Sequence, residues 1–121
     1  MSELDQTILL IDDDKLIVMS LERVLKKKGY KVIHTASPEK VVDLVGNEKV
    51  DLVILDFYLS DTSGIEILKS IRTVESFANI PIIMLTSEES PDIIEQCLDL
   101  GATDFIIKPI IPKVQIGRAH V

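Results

Sequence analysis

Five short apolar segments recur along the chain, and each is followed by residues whose apolar positions repeat at helical spacing. We predict β-strands in the apolar segments, at 7–11, 31–35, 52–55, 82–85 and 104–108. Several of them are apolar at consecutive positions, which is typical of parallel strands buried on both faces. Strands that alternate with helices through short connections predict an α/β fold. We expect a doubly wound sandwich of five βα units, whose right-handed crossovers place helices on both faces of one parallel sheet.

Capping signals mark several of the predicted helices. Three lysines, Lys26–Lys28, precede Gly29, where cations favour the helix dipole and glycine favours a C-terminal cap. Ser37-Pro38 and Ser90-Pro91 are typical of an N-cap followed by proline at the first helical position. We therefore expect five helices: one that ends before Gly29, one from Ser37, one over 64–72, one from Ser90 to Gly101, and one from about Pro112.

Composition and charge exclude several classes of protein. The 121 residues are 46% hydrophobic, which predicts one domain with its own core. The formal net charge of −7 disfavours nucleic acid or an anionic membrane as a direct partner, because phosphate binding depends on Lys and Arg. The acidic start MSELDQT does not resemble a signal peptide, and no apolar stretch approaches the ~20 residues of a membrane span. We therefore expect a cytoplasmic protein.

Charged and polar side chains follow the predicted strands. Asp12 and Asp13 follow the first strand, Asp56 ends the third, Thr86 ends the fourth and Lys108 ends the fifth. Ligands of open α/β sheets bind beyond the carboxyl ends of the strands. Acidic residues at such junctions often only cap helices, and a Lys-Pro pair is often only a turn. Neither alternative explains why all these side chains coincide at one edge of the sheet, so we expect a functional site there.

A divalent cation would offset the repulsion among the carboxylates of the acidic cluster. Neighbouring carboxylates disfavour each other's ionisation, and the run Asp12–Asp14 contains no compensating cation. The available ligands are hard oxygens, which suit Mg²⁺ or Mn²⁺ better than zinc. Asp14 need not be a ligand, because its position suits it to cap the first helix. His34, in the second strand, has no ligand partner at metal spacing and is expected to be a structural or surface residue.

The motifs LLIDDD, LVILDFYLSDTSG, IIMLTS and GATDFIIKP, in this order, resemble the response-regulator receiver domain of two-component signalling. The resemblance covers essentially the whole chain. It implies a flavodoxin-like (βα)5 fold with the strand order 2-1-3-4-5. In that order the first and third strands are neighbours, so Asp12, Asp13 and Asp56 would share one pocket.

The resemblance also implies roles for individual residues at the site. Asp56 would be the phosphoryl acceptor, a carboxylate nucleophile that forms an aspartyl phosphate. Asp13 would bind Mg²⁺ directly, Asp12 would act mainly through water, and the backbone carbonyl of Tyr58 would be a further ligand. Lys108 would contact Asp56 and a phosphoryl oxygen.

Further implied features concern the switch and the donor. Thr86 would hydrogen-bond the phosphoryl group, Phe105 matches the switch aromatic residue, and the Lys108–Pro109 peptide would be cis. The phosphoryl donor would be a phosphohistidine on a sensor histidine kinase or phosphotransfer protein. The domain would catalyse its own phosphorylation and slowly hydrolyse the product, rather than act as a turnover enzyme.

The sequence departs from the pattern of the receiver family at two positions, and two alternative functions remain open. The family often has proline where this chain has Ser60, and Tyr58 is bulky for a position that flanks the phosphoryl group. An aspartyl-phosphate hydrolase of the haloacid dehalogenase type would need a second aspartate at position 58 and a cap domain. A receiver-like module that is never phosphorylated is disfavoured because all five site residues are present.

The chain's end and one residue pair lead to two further expectations. The sequence stops at IGRAHV, in the middle of a helical pattern, so we expect the domain at 1–121 to be part of a longer protein with a C-terminal output domain. The face of the fourth helix, fifth strand and fifth helix would form a homodimer in receivers of the DNA-binding class. Asp104 and Arg118 match one ion pair of that interface.

Overall fold

The computed structural model describes residues 6–59, 63–87 and 90–108. Within them, five parallel strands form one sheet in the order β2-β1-β3-β4-β5. The sheet confirms both the predicted fold class and the strand order. The strands are β1 (Thr7–Ile11), β2 (Lys31–Thr35), β3 (Leu52–Asp56), β4 (Ile82–Thr86) and β5 (Asp104–Ile107).

Helices connect successive strands. The described α-helices are α1 (Lys15–Lys27), α2 (Val41–Asn47), α3 (Gly64–Arg72) and α4 (Pro91–Asp99), with short 3₁₀ turns at Pro38–Lys40 and Glu75–Phe77. The fifth helix expected from Pro112 lies outside the described residues. None of the described helices is both long and apolar enough to cross a membrane.

Ser37 occupies the predicted N-cap position and Pro38 follows it as the first residue of a turn, but the helix expected there does not begin as an α-helix. The Ser37 side chain makes no capping hydrogen bond, a 3₁₀ turn follows it, and α2 begins only at Val41. The physical reason lies in local hydrogen bonds. The Ser37 amide donates to the Thr35 hydroxyl at 3.0 Å, and the Lys40 amide donates to the Ser37 carbonyl at 3.1 Å in an i→i+3 turn. Asp14, in contrast, caps α1 as predicted.

The core lies on both faces of the sheet. Along β1, Leu9 and Ile11 belong to the cluster that includes apolar residues of α2, α3 and α4, whereas Ile8 and Leu10 pack with α1. Cys97 of α4 is buried in the same cluster as Leu9 and Ile11. Because every residue of β1 is buried, the strand is fixed from both sides. Each fully buried Leu or Ile contributes roughly 1.5–3 kcal/mol to the free energy of unfolding.

Candidate functional site

The acidic loop Asp12–Asp14 leaves β1 at the carboxyl edge of the sheet. Its own side chains hold its shape. One carboxylate oxygen of Asp12 accepts a hydrogen bond from the Asp14 amide at 2.8 Å. The Asp14 carboxylate accepts from the amides of Leu16 at 3.0 Å and Ile17 at 3.3 Å, and so satisfies two donors at the start of α1. Asp12 is buried and Asp13 is exposed.

Asp56 ends the neighbouring strand β3, and its side chain is also buried. One of its carboxylate oxygens accepts a hydrogen bond from the Tyr58 amide at 3.3 Å. Gly64, at the start of α3, packs directly on the Asp56 backbone, where a Cβ atom would collide with the Asp56 carbonyl oxygen. The Gly64 amide donates to the Phe57 carbonyl at 2.6 Å. Only glycine allows α3 to approach the end of β3 this closely, and this approach fixes the backbone that carries Asp56.

The three carboxylates converge. One oxygen from each of Asp12, Asp13 and Asp56 lies within 4.8 Å of the others, so the cluster could hold a metal ion. The second oxygen of Asp12, Oδ2, is buried and finds no well-directed hydrogen-bond donor among the described residues. A buried carboxylate oxygen without a donor is the position at which a cation or its bound water fits.

Lys108 is the cation of the cluster. Its Nζ atom lies 3.2 Å from Asp56 Oδ1 and 3.3 Å from Asp12 Oδ2. The second contact is an ion pair without hydrogen-bond geometry, which is why Oδ2 still lacks a directed donor. The Lys108 amide donates to the Thr86 carbonyl at 2.8 Å, which continues the pairing of β5 with β4 and places the ammonium over the edge of the sheet.

The charges of the cluster are unbalanced. Burial, followed by the negative charge of Asp12, raises the pKa of Asp56 to about 6 from 3.8, although Lys108 and the Tyr58 amide oppose the shift. Burial alone would lower the pKa of Lys108, but the charges of Asp56 and Asp12 outweigh it and raise that pKa. One ammonium shared between two buried carboxylates therefore stays charged but cannot compensate both of them.

The remaining predicted site residues lie at the same edge or beside it. Thr86 is buried at the end of β4, one residue beyond the Asp56–Leu85 pair. Phe105 of β5 is partly buried and packs against the larger core cluster. The side chain of Tyr58 is 49% exposed, and its ring packs edge-to-face on Phe57 with centroids 4.6 Å apart.

Other predictions are not tested by the described residues. Ser60 and Pro109 lie outside them. Of the expected dimer pair, Arg118 also lies outside them and only Asp104 is described. Asp104 is exposed, and its carboxylate accepts a hydrogen bond from the Phe105 amide at 2.8 Å.

One contact of the acidic loop was not predicted from the sequence. His34 of β2 places its Nε2 atom 2.8 Å from the carbonyl oxygen of Asp12. His34 pairs with Leu10 in the parallel register, two residues before Asp12. An alignment of the first two strands at their ends would have brought His34 close to this loop, but periodicity alone does not give that register.

Comparison with known proteins identifies the family. The model of the response regulator receiver domain family matches residues 8–118. The chain is 34% identical over 113 residues to the phosphate regulon transcriptional regulatory protein PhoB of Pseudomonas aeruginosa, covering 93% of this chain and 49% of PhoB. It is 37% identical over 118 residues to the transcriptional regulatory protein YvrH of Bacillus subtilis, covering 95% of this chain and 48% of YvrH. The chain thus spans about half the length of these two relatives.

Solved structures agree with this match. The chemotaxis response regulator CheY4 of Vibrio cholerae superposes with a TM-score of 0.83 at 26% identity, covering 96% of this chain and 97% of CheY4. A two-component response regulator from Clostridium difficile gives a TM-score of 0.81 at 29% identity, covering 95% and 93% of the two chains. The fold, the acidic edge and the family match lead to one conclusion: this chain belongs to the response regulator receiver domain family of two-component signal transduction.

Proposed function

We propose that Asp56 is the phosphoryl acceptor of this receiver domain, and that its donor is a phosphohistidine on a sensor histidine kinase or phosphotransfer protein. The observation that carries the proposal is the setting of the Asp56 carboxylate, which lies 3.2 Å from the Lys108 ammonium and converges with the carboxylates of Asp12 and Asp13. A buried nucleophile beside an ammonium and within a cluster that could hold a metal ion is suited to phosphoryl transfer, in which positioning and charge stabilisation dominate catalysis.

The proposed step exchanges one bond to phosphorus for another. An ionised oxygen of Asp56 attacks the phosphorus atom, and an acyl phosphate forms. The bond from phosphorus to the imidazole nitrogen of the donor breaks, and its electron pair stays on that nitrogen. Lys108 stabilises the negative charge of the phosphoryl oxygens, while the Thr86 hydroxyl and the Tyr58 amide donate hydrogen bonds to them.

The acidic cluster is proposed to hold Mg²⁺, for which Mn²⁺ is an acceptable substitute. Asp13 and Asp56 would be direct ligands with the Tyr58 carbonyl, and Asp12 would act mainly through water. The hard oxygen ligands and the buried Asp12 Oδ2 without a directed donor support this assignment. When bound, the cation would neutralise the carboxylates and the phosphoryl oxygens.

The proposed output of phosphorylation lies on the β4–β5 side of the molecule. Thr86 would move towards the phosphoryl group, and Phe105 would turn inward into the space it leaves, as a two-state change. The surface of α4, β5 and a following helix would then change its affinity for a partner, including a second copy held by Asp104 and Arg118. We propose that this domain belongs to a longer cytoplasmic response regulator with a C-terminal output domain, because its transcriptional regulatory relatives are about twice its length.

The acceptor assignment is tested by labelling with acetyl phosphate and Mg²⁺, followed by intact-mass analysis. Wild type should gain one phosphoryl group, and Asp56→Asn should gain none. Asp51→Asn is the matched control, because Asp51 precedes the same strand at the opposite edge of the sheet. Equal labelling of Asp56→Asn and wild type would refute the assignment.

A further inference from the structure

His34 joins the acidic loop to the neighbouring strand β2. Its Nε2 atom lies 2.8 Å from the Asp12 carbonyl oxygen, across 22 positions of sequence. A carbonyl oxygen can only accept, so Nε2 must carry the proton in this contact. Both the imidazolium and the neutral tautomer protonated on Nε2 meet this requirement.

The hydrogen bond between His34 and Asp12 lies just beyond the last paired residues of β1 and β2, where strand pairing no longer fixes the loop. The register of β1 with β2 ends at Ile11 and Thr35, and the Asp12 carbonyl lies one residue beyond that end. The Asp12–Asp14 and Asp14–Leu16 hydrogen bonds join residues two positions apart and therefore shape the loop without tying it to the sheet. Lys108 reaches the loop from β5, but it contacts the Asp12 side chain rather than its backbone.

We propose that His34 is a positioning residue for the metal site, an inference that rests on the proposed function. Its hydrogen bond fixes the carbonyl that begins the Asp12–Asp13 peptide. Because that peptide is planar, the fixed carbonyl sets the position of the Asp13 Cα atom, from which the Asp13 side chain leaves the backbone. A loop held in this way loses less conformational entropy when its carboxylates bind a cation.

Two substitutions of His34 distinguish the loss of the hydrogen-bond donor from a change in the size of the side chain. Gln and Met match His in reach, but only Gln offers an N–H donor. His34 is exposed on the edge strand β2, so either residue should be accommodated without disturbing the core. Titration of each metal-free variant with Mg²⁺ by calorimetry gives the affinity directly. His34→Met should weaken Mg²⁺ binding by about three- to tenfold, and His34→Gln by no more than about twofold, since a single hydrogen bond is at stake.

A spectroscopic readout in metal-free protein tests the cause. The amide nitrogen of Asp13 belongs to the peptide whose carbonyl His34 contacts, so its ¹⁵N chemical shift reports on that hydrogen bond. His34→Met should move this signal more than His34→Gln does. An unmoved signal in His34→Met, unchanged Mg²⁺ affinity in that variant, or an equal loss of affinity in both variants would overturn the proposal.

A third variant separates this inference from the proposed metal site. Asp13→Asn should abolish Mg²⁺ binding if the proposed site is correct. If it does so while His34→Met binds like wild type, only the role of His34 is refuted. If Asp13→Asn binds Mg²⁺ as well as wild type, the metal site itself is wrong, and the inference falls with it.

Discussion

The two edges of the same sheet use polar residues in opposite ways. At the amino edge, side chains pair with the backbone. The Asp51 carboxylate accepts from the Thr7 amide at 2.8 Å, and the Asp51 amide donates to the Thr7 carbonyl at 2.8 Å. Thr103 and Ile82 repeat the arrangement, because the Thr103 hydroxyl accepts from the Ile82 amide at 3.0 Å and the Thr103 amide donates to the Ile82 carbonyl at 2.8 Å. Each of these side chains satisfies a specific backbone donor at the start of a strand.

At the carboxyl edge, side chains face each other instead. Asp12 and Asp56 share one ammonium, that of Lys108, and the exposed Asp13 adds a third carboxylate. The result is a raised pKa at Asp56 and a buried oxygen of Asp12 without a directed donor. The amino edge is therefore arranged for stability, whereas the carboxyl edge keeps an electrostatic conflict that the proposed cation would relieve. Substitutions at the two edges should therefore separate stability from reactivity.

The largest expected difference between the edges comes from removing one lysine at each. Lys108→Met should slow labelling by acetyl phosphate about 100- to 1000-fold, because in the proposed reaction the ammonium stabilises charge that develops on the phosphoryl oxygens. Lys31→Met, at the start of β2, removes an exposed ion pair with Glu48 and should leave the labelling rate unchanged. Rates come from intact mass against time. Equal rates in the two variants would remove Lys108 from the reaction.

The next effect concerns the metal-free stability of Asp56→Asn. The folded protein holds the pKa of Asp56 at about 6, above the ordinary 3.8, so ionised Asp56 lowers the free energy of unfolding at neutral pH. The neutral amide should raise that free energy by roughly 1–3 kcal/mol at pH 7.5.

The size of this effect depends on the protonation of Asp56. As pH falls through 6 towards 3.8, wild type protonates Asp56 and recovers this stability, so its deficit relative to Asp56→Asn should shrink. Urea unfolding in EDTA across this pH window measures the difference. A deficit that grows as pH falls would contradict the electrostatic account of the carboxyl edge.

A smaller effect is expected from Mg²⁺ itself. At ten times its dissociation constant, a cation that binds only the folded state raises the free energy of unfolding by about 1.4 kcal/mol. Asp13→Asn should abolish the gain, and Asp51→Asn should retain it, because Asp51 lies at the other edge. Thermal unfolding with and without Mg²⁺ checks both variants. A gain that survives in Asp13→Asn would place the cation elsewhere.

The smallest effect should come from a hydroxyl at the amino edge. Thr103→Val leaves the Ile82 amide without its acceptor and should cost about 0.5–1.5 kcal/mol of stability. Its labelling rate should match that of wild type. Thr86→Val is the corresponding change at the carboxyl edge, and it should slow labelling. If Thr103→Val slows labelling as much as Thr86→Val does, the two edges are not functionally separate.

The fold could be predicted because hydrophobic spacing is set by burial. The segments 7–11 and 31–35 match β1 and β2 to the residue, and α3 occupies the predicted 64–72. The strand order came from the resemblance to receiver domains, since periodicity does not determine which strands are neighbours. The helix expected from Ser37 begins instead with a 3₁₀ turn, in which the Lys40 amide donates to the Ser37 carbonyl, and α2 starts only at Val41.

The site could be predicted only in part. Residues that follow strands, such as Asp12 and Asp56, were found because the carboxyl ends of parallel strands share one edge. Contacts that depend on the register or on loop paths were not found. His34 reaches Asp12 only because β2 pairs with β1. The Arg72 guanidinium donates to the Gly101 carbonyl, 29 positions along the chain, and only the tertiary fold brings these two residues together.

The central claim is that Asp56 carries the phosphoryl group. Sodium borohydride reduces an acyl phosphate to an alcohol and so converts a phosphorylated aspartate to homoserine. After labelling with acetyl phosphate and Mg²⁺, reduction and peptide mass mapping should find homoserine at position 56 in wild type and at no other aspartate. Homoserine at Asp12 or Asp13, or its absence from position 56 in labelled protein, would contradict the account.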